Sequence, residues 1–295
     1  MSCCSPRSLA LAACVVPLLL ACQSDEEKIA AYLENGAAYA EAGAFNEAVI
    51  EYRNVLQLDP NLGDAHYALA KIYLGLKQGN EAYWEFSESV RLDSSNVDAR
   101  LTLGGLSLVT KNFEDALEQA DRIIELDPTH STAYVLRAQA LEQLDRAGES
   151  EADYLKAIEL ESDEGSYLLA AAMYYARQND RGKAEPLLQK LTEVDPTFRS
   201  YTALARFLAE DRERAAPAQA AFERASETAE DSDKASATQN LANYLYLQDR
   251  PDAALALLEA AIEEDEIPGR TRSLFGCWRR CQADSVRRSM PGHGG

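Results

Sequence analysis

The chain has 295 residues, of which 46% are apolar, so it can bury a core and is not a wholly disordered protein. Its 49 acidic residues outnumber its 29 basic residues, and the formal net charge of −20 disfavours binding to nucleic acid. The six cysteines all lie within the first 22 or the last 20 residues, which excludes a disulfide framework for the body of the protein.

The first 22 residues are typical of an export signal. One basic residue, Arg7, precedes an apolar run from Ser8 to Ala21 that is too short to anchor stably across a bilayer. The run ends in Leu-Leu-Ala before Cys22, and this stretch resembles the lipobox of bacterial lipoproteins. The resemblance implies a signal peptide at residues 1–21, lipidation of Cys22 and a short linker over residues 22–28. The alternative is an ordinary signal sequence that happens to contain a cysteine.

A lipidated Cys22 would carry more than one acyl chain, which stable membrane anchoring requires. In the lipoproteins that the stretch resembles, a glutamine such as Gln23 after the cysteine permits transfer to the outer membrane. We therefore expect a lipid-anchored protein of the bacterial cell envelope that faces the periplasm from the outer membrane.

A segment of the form Leu-Asp-Pro recurs every 34 residues through the body of the chain. Its copies are VLQLDP at 55–60, SVRLDS at 89–94, IIELDP at 123–128, AIELES at 157–162 and LTEVDP at 191–196. A fixed period of this length with helical patterning indicates helix-turn-helix units that bury their apolar faces against their neighbours. We number the places of each repeat from 1 to 34, starting at Ile29, so that the segment ends at place 32.

Small and aromatic side chains follow the same period. Small residues occupy place 8 (Gly36, Ala70, Gly104, Ala138, Ala172) and place 20 (Ala48, Ala82, Ala116, Ser150, Ala184), and aromatic residues recur at place 11 (Tyr39, Tyr73, Tyr175) and place 24 (Tyr52, Phe86, Tyr154). These residues resemble the motif of the tetratricopeptide repeat (TPR) family over residues 29–268. The resemblance implies an all-α fold, a right-handed superhelical solenoid of about seven helix-turn-helix repeats, with the aromatic residues as packing.

The sixth and seventh repeats depart from the motif. The sixth keeps the period through Ala218 and Ala225, but Arg206 stands at place 8, where a small residue is usual. The seventh fits through Ala254 and Leu258 only after a slip of two residues.

The family resemblance also implies a concave groove lined by the first helix of each repeat, where a partner protein or peptide binds. The places that usually meet the ligand predict these groove residues: Leu33, Tyr67, Lys71, Leu74, Leu101, Leu108, Val135, Gln139, Leu169, Met173, Arg177 and Phe207. The alternative is that the leucines pack only between adjacent hairpins. The basic clamp with which some family members bind acidic peptide ends is missing from the early repeats, which disfavours a receptor for chaperone tails. The abundant acidic residues indicate instead a partner with basic segments.

Nothing in the sequence indicates catalysis or a cofactor. The three histidines occur singly, without metal-ligand spacing, and neither a glycine-rich phosphate loop nor a nucleophile elbow is present. We therefore expect no catalytic residue, no metal, no cofactor and no small-molecule substrate. An enzyme with a site that the linear sequence hides is the remote alternative.

The last segment, residues 269–295, differs from the rest of the chain in composition. Six arginines oppose the single acid Asp284. One interpretation is a basic helix that caps the repeats or binds their acidic surface, and another is a metal or disulfide site at Cys277 and Cys281. The preferred interpretation is a partly disordered or non-native tail.

The predicted function is that of a lipid-anchored scaffold that binds another envelope protein. The opening stretch of the first repeat resembles repeat lipoproteins of exosortase-type (PEP-CTERM) protein sorting and exopolysaccharide export. It also resembles pilotin-like lipoproteins of type IV pilus assembly, so both processes stay open as alternatives.

Overall fold

A computed structural model describes residues 24–263, which form fourteen α-helices and one short 3-10 helix, Arg212–Arg214. The α-helices are α1 (Asp25–Glu41), α2 (Phe45–Leu58), α3 (Gly63–Gly75), α4 (Gly79–Leu92), α5 (Val97–Val109), α6 (Phe113–Leu126), α7 (Ser131–Gln143), α8 (Ala147–Leu160), α9 (Gly165–Arg177), α10 (Arg181–Val194), α11 (Phe198–Ala209), α12 (Ala215–Glu227), α13 (Lys234–Leu247) and α14 (Pro251–Glu263). These residues contain no strand, so the predicted all-α fold of seven helix pairs is confirmed.

The chain divides into two compact units, Met1–Leu103 and Gly104–Gly295, and the boundary falls inside α5. In the described part of the first unit, α1 packs on α2, α2 on α3 and α3 on α4. In the described part of the second, each of the helices α6 to α14 packs on the next one along the chain. The right-handed superhelical course of the whole solenoid stays a prediction.

The N-terminal boundary differs slightly from the predicted one. Helix α1 begins at Asp25, so residues 25–28 of the predicted linker are helical. Ser24 starts the helix with a capping box, in which its hydroxyl accepts from the Glu27 amide and the Glu27 carboxylate accepts from the Ser24 amide. The predicted signal peptide, Cys22 and the basic tail 269–295 lie outside the described residues.

Small residues at places 8 and 20 bring the two helices of a hairpin together, as the period predicts. Ala48 and Ala82, at place 20, are fully buried. At Gly36, an added Cβ would lie 2.9 Å from Cε2 of Tyr52, which is closer than carbon atoms approach. The aromatic residues at places 11 and 24 are buried, apart from Tyr39 on α1, which is 40% exposed.

The turn inside each hairpin relies on one residue with a left-handed backbone. Gly43 and its equivalents Lys77, Lys111, Asp145 and Asn179, all at place 15, have φ between 58° and 73°. The next amide then bonds back across the turn, as in Gln78 N to Tyr73 O at 2.8 Å. The sixth repeat has the 3-10 helix here instead, and the seventh has Asp249, two residues late. The predicted slip of two residues is therefore present in the structure.

The recurring Leu-Asp-Pro segment forms the connection between hairpins. Asp59 ends α2, and its carboxylate accepts a hydrogen bond from the Asn61 amide at 2.9 Å. Asp127 accepts in the same way from Thr129 N, also at 2.9 Å. An aspartate that bonds the amide two residues on makes a tight turn that starts the next hairpin. The segment therefore serves the architecture of the repeats.

Candidate partner-binding clefts

The first helix of each hairpin carries most of the predicted groove residues at or near the surface. The structure places Leu33, Tyr67, Leu74, Leu101, Leu108, Val135 and Leu169 half-buried, Lys71, Gln139, Met173 and Arg177 exposed, and Phe207 buried. The groove itself stays a prediction, but most of its residues have side-chain surface to offer a partner.

One cleft in the second unit, which we call the α7–α9 cleft, has a volume of about 670 Å³. It brings together five of the predicted groove residues: Leu108, Gln139, Leu169, Met173 and Arg177. Met173, in the middle of α9, is 45% exposed and lies on the apolar surface of the cleft. The cleft therefore combines an apolar surface with polar groups at its edge.

The polar edge of the α7–α9 cleft is fixed by an ion pair. The Arg177 guanidinium donates to Glu142 through Nε to Oε1 at 2.5 Å and through Nη2 to Oε2 at 2.8 Å. The Tyr154 hydroxyl also donates to Oε2 of Glu142, at 3.3 Å. Burial raises the pKa of Tyr154, and the hydrogen bond to Glu142 raises the pKa of Arg177. Arg177 is thus charged, oriented and half-exposed beside the apolar floor.

A neighbouring cleft of about 620 Å³, the α9–α11–α13 cleft, shares Leu169 and Met173 with the first. Its α11 wall contributes Arg199 and Arg206, and α13 contributes Ser236, Gln239 and Asn240. Phe207 lines the same cleft although it is buried, because the Arg181 guanidinium lies 4.2 Å above its ring. Arg181 also donates to the Phe207 carbonyl oxygen at 2.7 Å.

The first unit has a smaller cleft of about 390 Å³ between α1 and α3. It contains two predicted groove residues, Tyr67 and Lys71, together with Phe45 and Tyr52 of α2. The Lys71 ammonium lies 5.3 Å from the centre of the Tyr67 ring, and burial raises the pKa of the Tyr67 hydroxyl. The positive charge of Lys71 is therefore held against an aromatic face at the entrance of an apolar cleft.

Some predicted groove residues have a packing role. Val135 packs against two clusters of buried residues in the second unit, and Leu169 packs against one of them while it also lines two clefts. Leu33, Leu74 and Leu101 line none of the three clefts described above. Which of the leucines meet a partner and which pack only between hairpins therefore stays a prediction.

Sequence reasoning missed a pocket of about 460 Å³ that contains residues of α2, α3 and α4. His66 Nδ1 lies 2.6 Å from Oε2 of Glu85, and His66 Nε2 lies 3.2 Å from the Pro60 carbonyl oxygen. Trp84 beside them is 57% exposed. Burial raises the pKa of Glu85. The sequence feature that could have indicated this pocket is the polar residue at place 23, such as Glu51 or Glu85. That feature does not show that Glu85 pairs with His66.

Neither a metal cluster nor a membrane span occurs within residues 24–263. That segment has no group of three or more histidine, cysteine, aspartate or glutamate side chains arranged to hold a metal ion. None of its helices is long and apolar enough to cross a bilayer.

Two segments of the chain match known repeat families. Residues 36–77 match the family described as TPR repeat, and residues 108–166 match the one described as tetratricopeptide repeat. No relative was found among curated proteins.

Solved structures share the fold at low sequence identity. A tetratricopeptide repeat protein from Parabacteroides merdae is 16% identical, over 80% of this chain and 93% of that one, with a TM-score of 0.65. PilF from Pseudomonas aeruginosa is 22% identical, over 70% and 96%, with a TM-score of 0.53. YrrB, described as a TPR protein with an unusual peptide-binding site, is 20% identical, over 59% and 93%, with a TM-score of 0.51. The matched segments and the paired helices show that the chain carries tetratricopeptide repeats in an all-α fold.

Proposed function

We propose that this chain is a lipid-anchored scaffold of the bacterial cell envelope that binds a partner protein or peptide in the clefts of its first helices. The observation that carries the proposal is Met173, which is 45% exposed and lines both the α7–α9 cleft and the α9–α11–α13 cleft. Full burial of an exposed methionine side chain is worth about 1.5–3 kcal/mol, so a partner that covers the 45% of Met173 still exposed would contribute about 1 kcal/mol. A side chain so placed is a suitable anchor for a bound segment.

The dimensions of the two clefts suit a peptide. Their volumes of about 670 and 620 Å³ fall within the range of ligand pockets in proteins, roughly 300–1,000 Å³. They share Leu169 and Met173, so one extended segment or one amphipathic helix could contact both. The peptide-binding site in the description of YrrB, which has the same fold, supports this use of the repeats.

Site-specific photocrosslinking in living cells tests the scaffold. A photoreactive benzoylphenylalanine in place of Met173 should trap a discrete partner band, because that side chain lies in the shared wall of both clefts. The same substitution at Leu155 is the matched control, since Leu155 is also apolar and 50% exposed but lies on the second helix α8. Equal crosslinking at both positions, or none at Met173, contradicts the proposal.

The lipid anchor is tested separately. Metabolic labelling with an alkyne fatty acid should mark the wild-type chain and leave a Cys22→Ser variant unlabelled, because the lipobox cysteine is the acylated residue of the lipoproteins that the N-terminus resembles. The variant should also leave the membrane fraction. Labelling that persists in the variant refutes anchoring at Cys22, whereas partner binding at Met173 would stand.

The biological process is the finer part of the proposal. Protein sorting linked to exopolysaccharide export and type IV pilus assembly are the two alternatives that the first repeat suggests. Mass spectrometry of the partner trapped at Met173 separates them, because the two processes use different envelope proteins. A cytoplasmic partner would refute both.

A further inference from the structure

We infer that the α9–α11–α13 cleft recognises two carboxylate groups of an acidic segment in the bound partner. The inference rests on the proposed function and specifies the chemistry of the partner. It departs from the expectation of a partner with basic segments, which follows from the net charge of −20. The α9–α11–α13 cleft is lined by two arginines, whose positive charge favours an acidic partner instead.

The cleft carries two arginines on one face of α11. Arg199, Thr202 and Arg206 follow the spacing i, i+3, i+7, which places them on the same side of a helix, and all three line the cleft. Arg199 and Arg206 are exposed. Neither forms an ion pair with any residue that the structure describes, and Arg206 makes one long hydrogen bond, at 3.4 Å, to Oδ1 of Asn240.

Unpaired arginines stand out in so acidic a chain. On the neighbouring helices, Arg177 is paired with Glu142, Arg181 with Glu210 and Arg214 with Glu185. Glu210 lines the cleft as well, but its carboxylate is held by Arg181 at 3.0 Å. The charge left for a ligand is therefore that of the two arginines.

Arg206 departs from the burial pattern of the repeats. Place 8 is buried in the earlier repeats, as at Ala138 and Ala172, whereas Arg206 is exposed. Place 7 keeps the pattern, because Ala205 is fully buried, as Ala171 is in the fifth repeat. Place 8 of α11 therefore carries a long cationic side chain in the cleft.

The rest of the wall completes a peptide site. Phe198, Leu169 and Met173 give it an apolar floor. The Thr202 side chain is 7% exposed, and its hydroxyl has no hydrogen-bond partner among the described residues. The site therefore combines apolar contact with cations that form strong, charge-assisted bonds to carboxylates.

The spacing of the arginines sets the spacing of the acids. Seven residues of α-helix separate their Cα atoms by about 10 Å. Three residues of a polyproline II segment cover about 9 Å and bring the side chain back to the same side of the chain. The expected segment therefore has two acidic residues three positions apart, with apolar residues between them.

Fluorescence anisotropy with the purified full chain tests this inference. The probes are three labelled pools of nine-residue peptides that share two central apolar residues, flanked by two glutamates, two glutamines or two lysines and otherwise randomised. The glutamate pool should bind at least about fivefold more tightly than the glutamine pool. Its affinity should fall as salt rises from about 50 to about 200 mM, because salt screens exposed charges.

Charge-removing variants locate the binding. Arg199→Gln and Arg206→Gln should each weaken the glutamate pool about fivefold and leave the glutamine pool unchanged. Arg212→Gln is the matched control, because Arg212 is exposed, forms no ion pair with described residues and lies in the 3-10 helix outside the cleft. It should change neither affinity by more than about twofold. Circular dichroism should give the same helical content for all three variants.

The inference is overturned if the glutamate pool binds no more tightly than the glutamine pool, or if the lysine pool binds most tightly. It is also overturned if the glutamate pool does not bind at concentrations up to about 1 mM, the weak limit of specific affinity. Unchanged binding of the glutamate pool by both Arg199→Gln and Arg206→Gln would overturn it as well. If the glutamine pool binds equally and Met173→Ser weakens it, the acidic partner is refuted and the scaffold stands. If nothing is crosslinked at Met173 in cells, the scaffold itself fails.

Discussion

Replacement of Arg137 by methionine should destabilise the fourth repeat strongly. Arg137 on α7 donates to both carboxylate oxygens of Asp153 on α8, at 2.7 and 2.8 Å, and to Asp121 on α6 at 2.9 Å. Asp153 is only 5% exposed, and its hydrogen bond raises the pKa of Arg137. The variant keeps the aliphatic part of the side chain and leaves the Asp153 carboxylate buried without its cation.

The expected cost follows from the burial of the pair. Loss of one partner of a buried ion pair costs about 3–5 kcal/mol. The Arg137 side chain is 26% exposed, and water can therefore reach part of the site, so we expect a smaller cost, about 2–3 kcal/mol. With a urea dependence of about 2 kcal/mol per molar, the unfolding midpoint should fall by roughly 1–1.5 M.

A double-mutant cycle, followed by circular dichroism in urea, measures the interaction. Asp153→Asn alone should cost about 1 kcal/mol, because Arg137 keeps Asp121. The double variant should cost at least about 1 kcal/mol less than the sum of the two single changes. Arg122→Met is the control, since Arg122 and Glu125 form an exposed pair, and it should cost less than about 0.5 kcal/mol.

Strictly additive costs in the cycle would refute the argument that the buried charge is what destabilises the variant.

Three further predictions concern single residues. Burial raises the pKa of Glu85 above its ordinary 4.5, so the native state holds this proton to higher pH than the unfolded chain, and stability should fall as pH rises from 4.5 towards the raised pKa. Glu85→Gln should flatten that part of the curve of urea midpoint against pH. Lys77→Gly should raise the melting temperature in calorimetry, because Lys77 has φ of 60° and glycine relieves about 1 kcal/mol of backbone strain; a lower melting temperature would contradict this. Ser24→Ala should cost α1 about 1 kcal/mol and speed amide hydrogen exchange in its first turn, since it removes the capping box; unchanged exchange would contradict it.

Much of the fold could be predicted from the sequence because the period constrains it repeatedly. The small residues at places 8 and 20, such as Ala70 and Ala82, are buried as the repeat requires. The positions of Ala254 and Leu258 predict the slip of two residues in the seventh repeat. The structure has the left-handed turn residue at Asp249, two residues later than in the regular repeats. These features depend on local spacing, which a sequence displays directly.

The site residues were harder to predict because their roles depend on pairing between helices. His66 and Glu85 are 19 residues apart, and Arg137 and Asp153 are 16 apart, so periodicity gives the face of each but not the contact. Phe207 shows the same limit. Its place in the repeat predicts groove exposure, but Arg181 covers the ring from the preceding helix pair.

The sixth repeat connects the irregular parts of the pattern with the proposed binding site. It is where place 8 holds Arg206, where the 3-10 helix Arg212–Arg214 replaces the usual turn and where the two arginines of the cleft have no described ion-pair partner. A repeat that served only to propagate the stack would keep the small residue and the tight turn, since both favour close packing of the hairpin. Departures from local rules concentrate where a protein gives up some packing for binding. On this reasoning, restoring the motif with Arg206→Ala should leave stability unchanged or higher and should weaken acidic ligands.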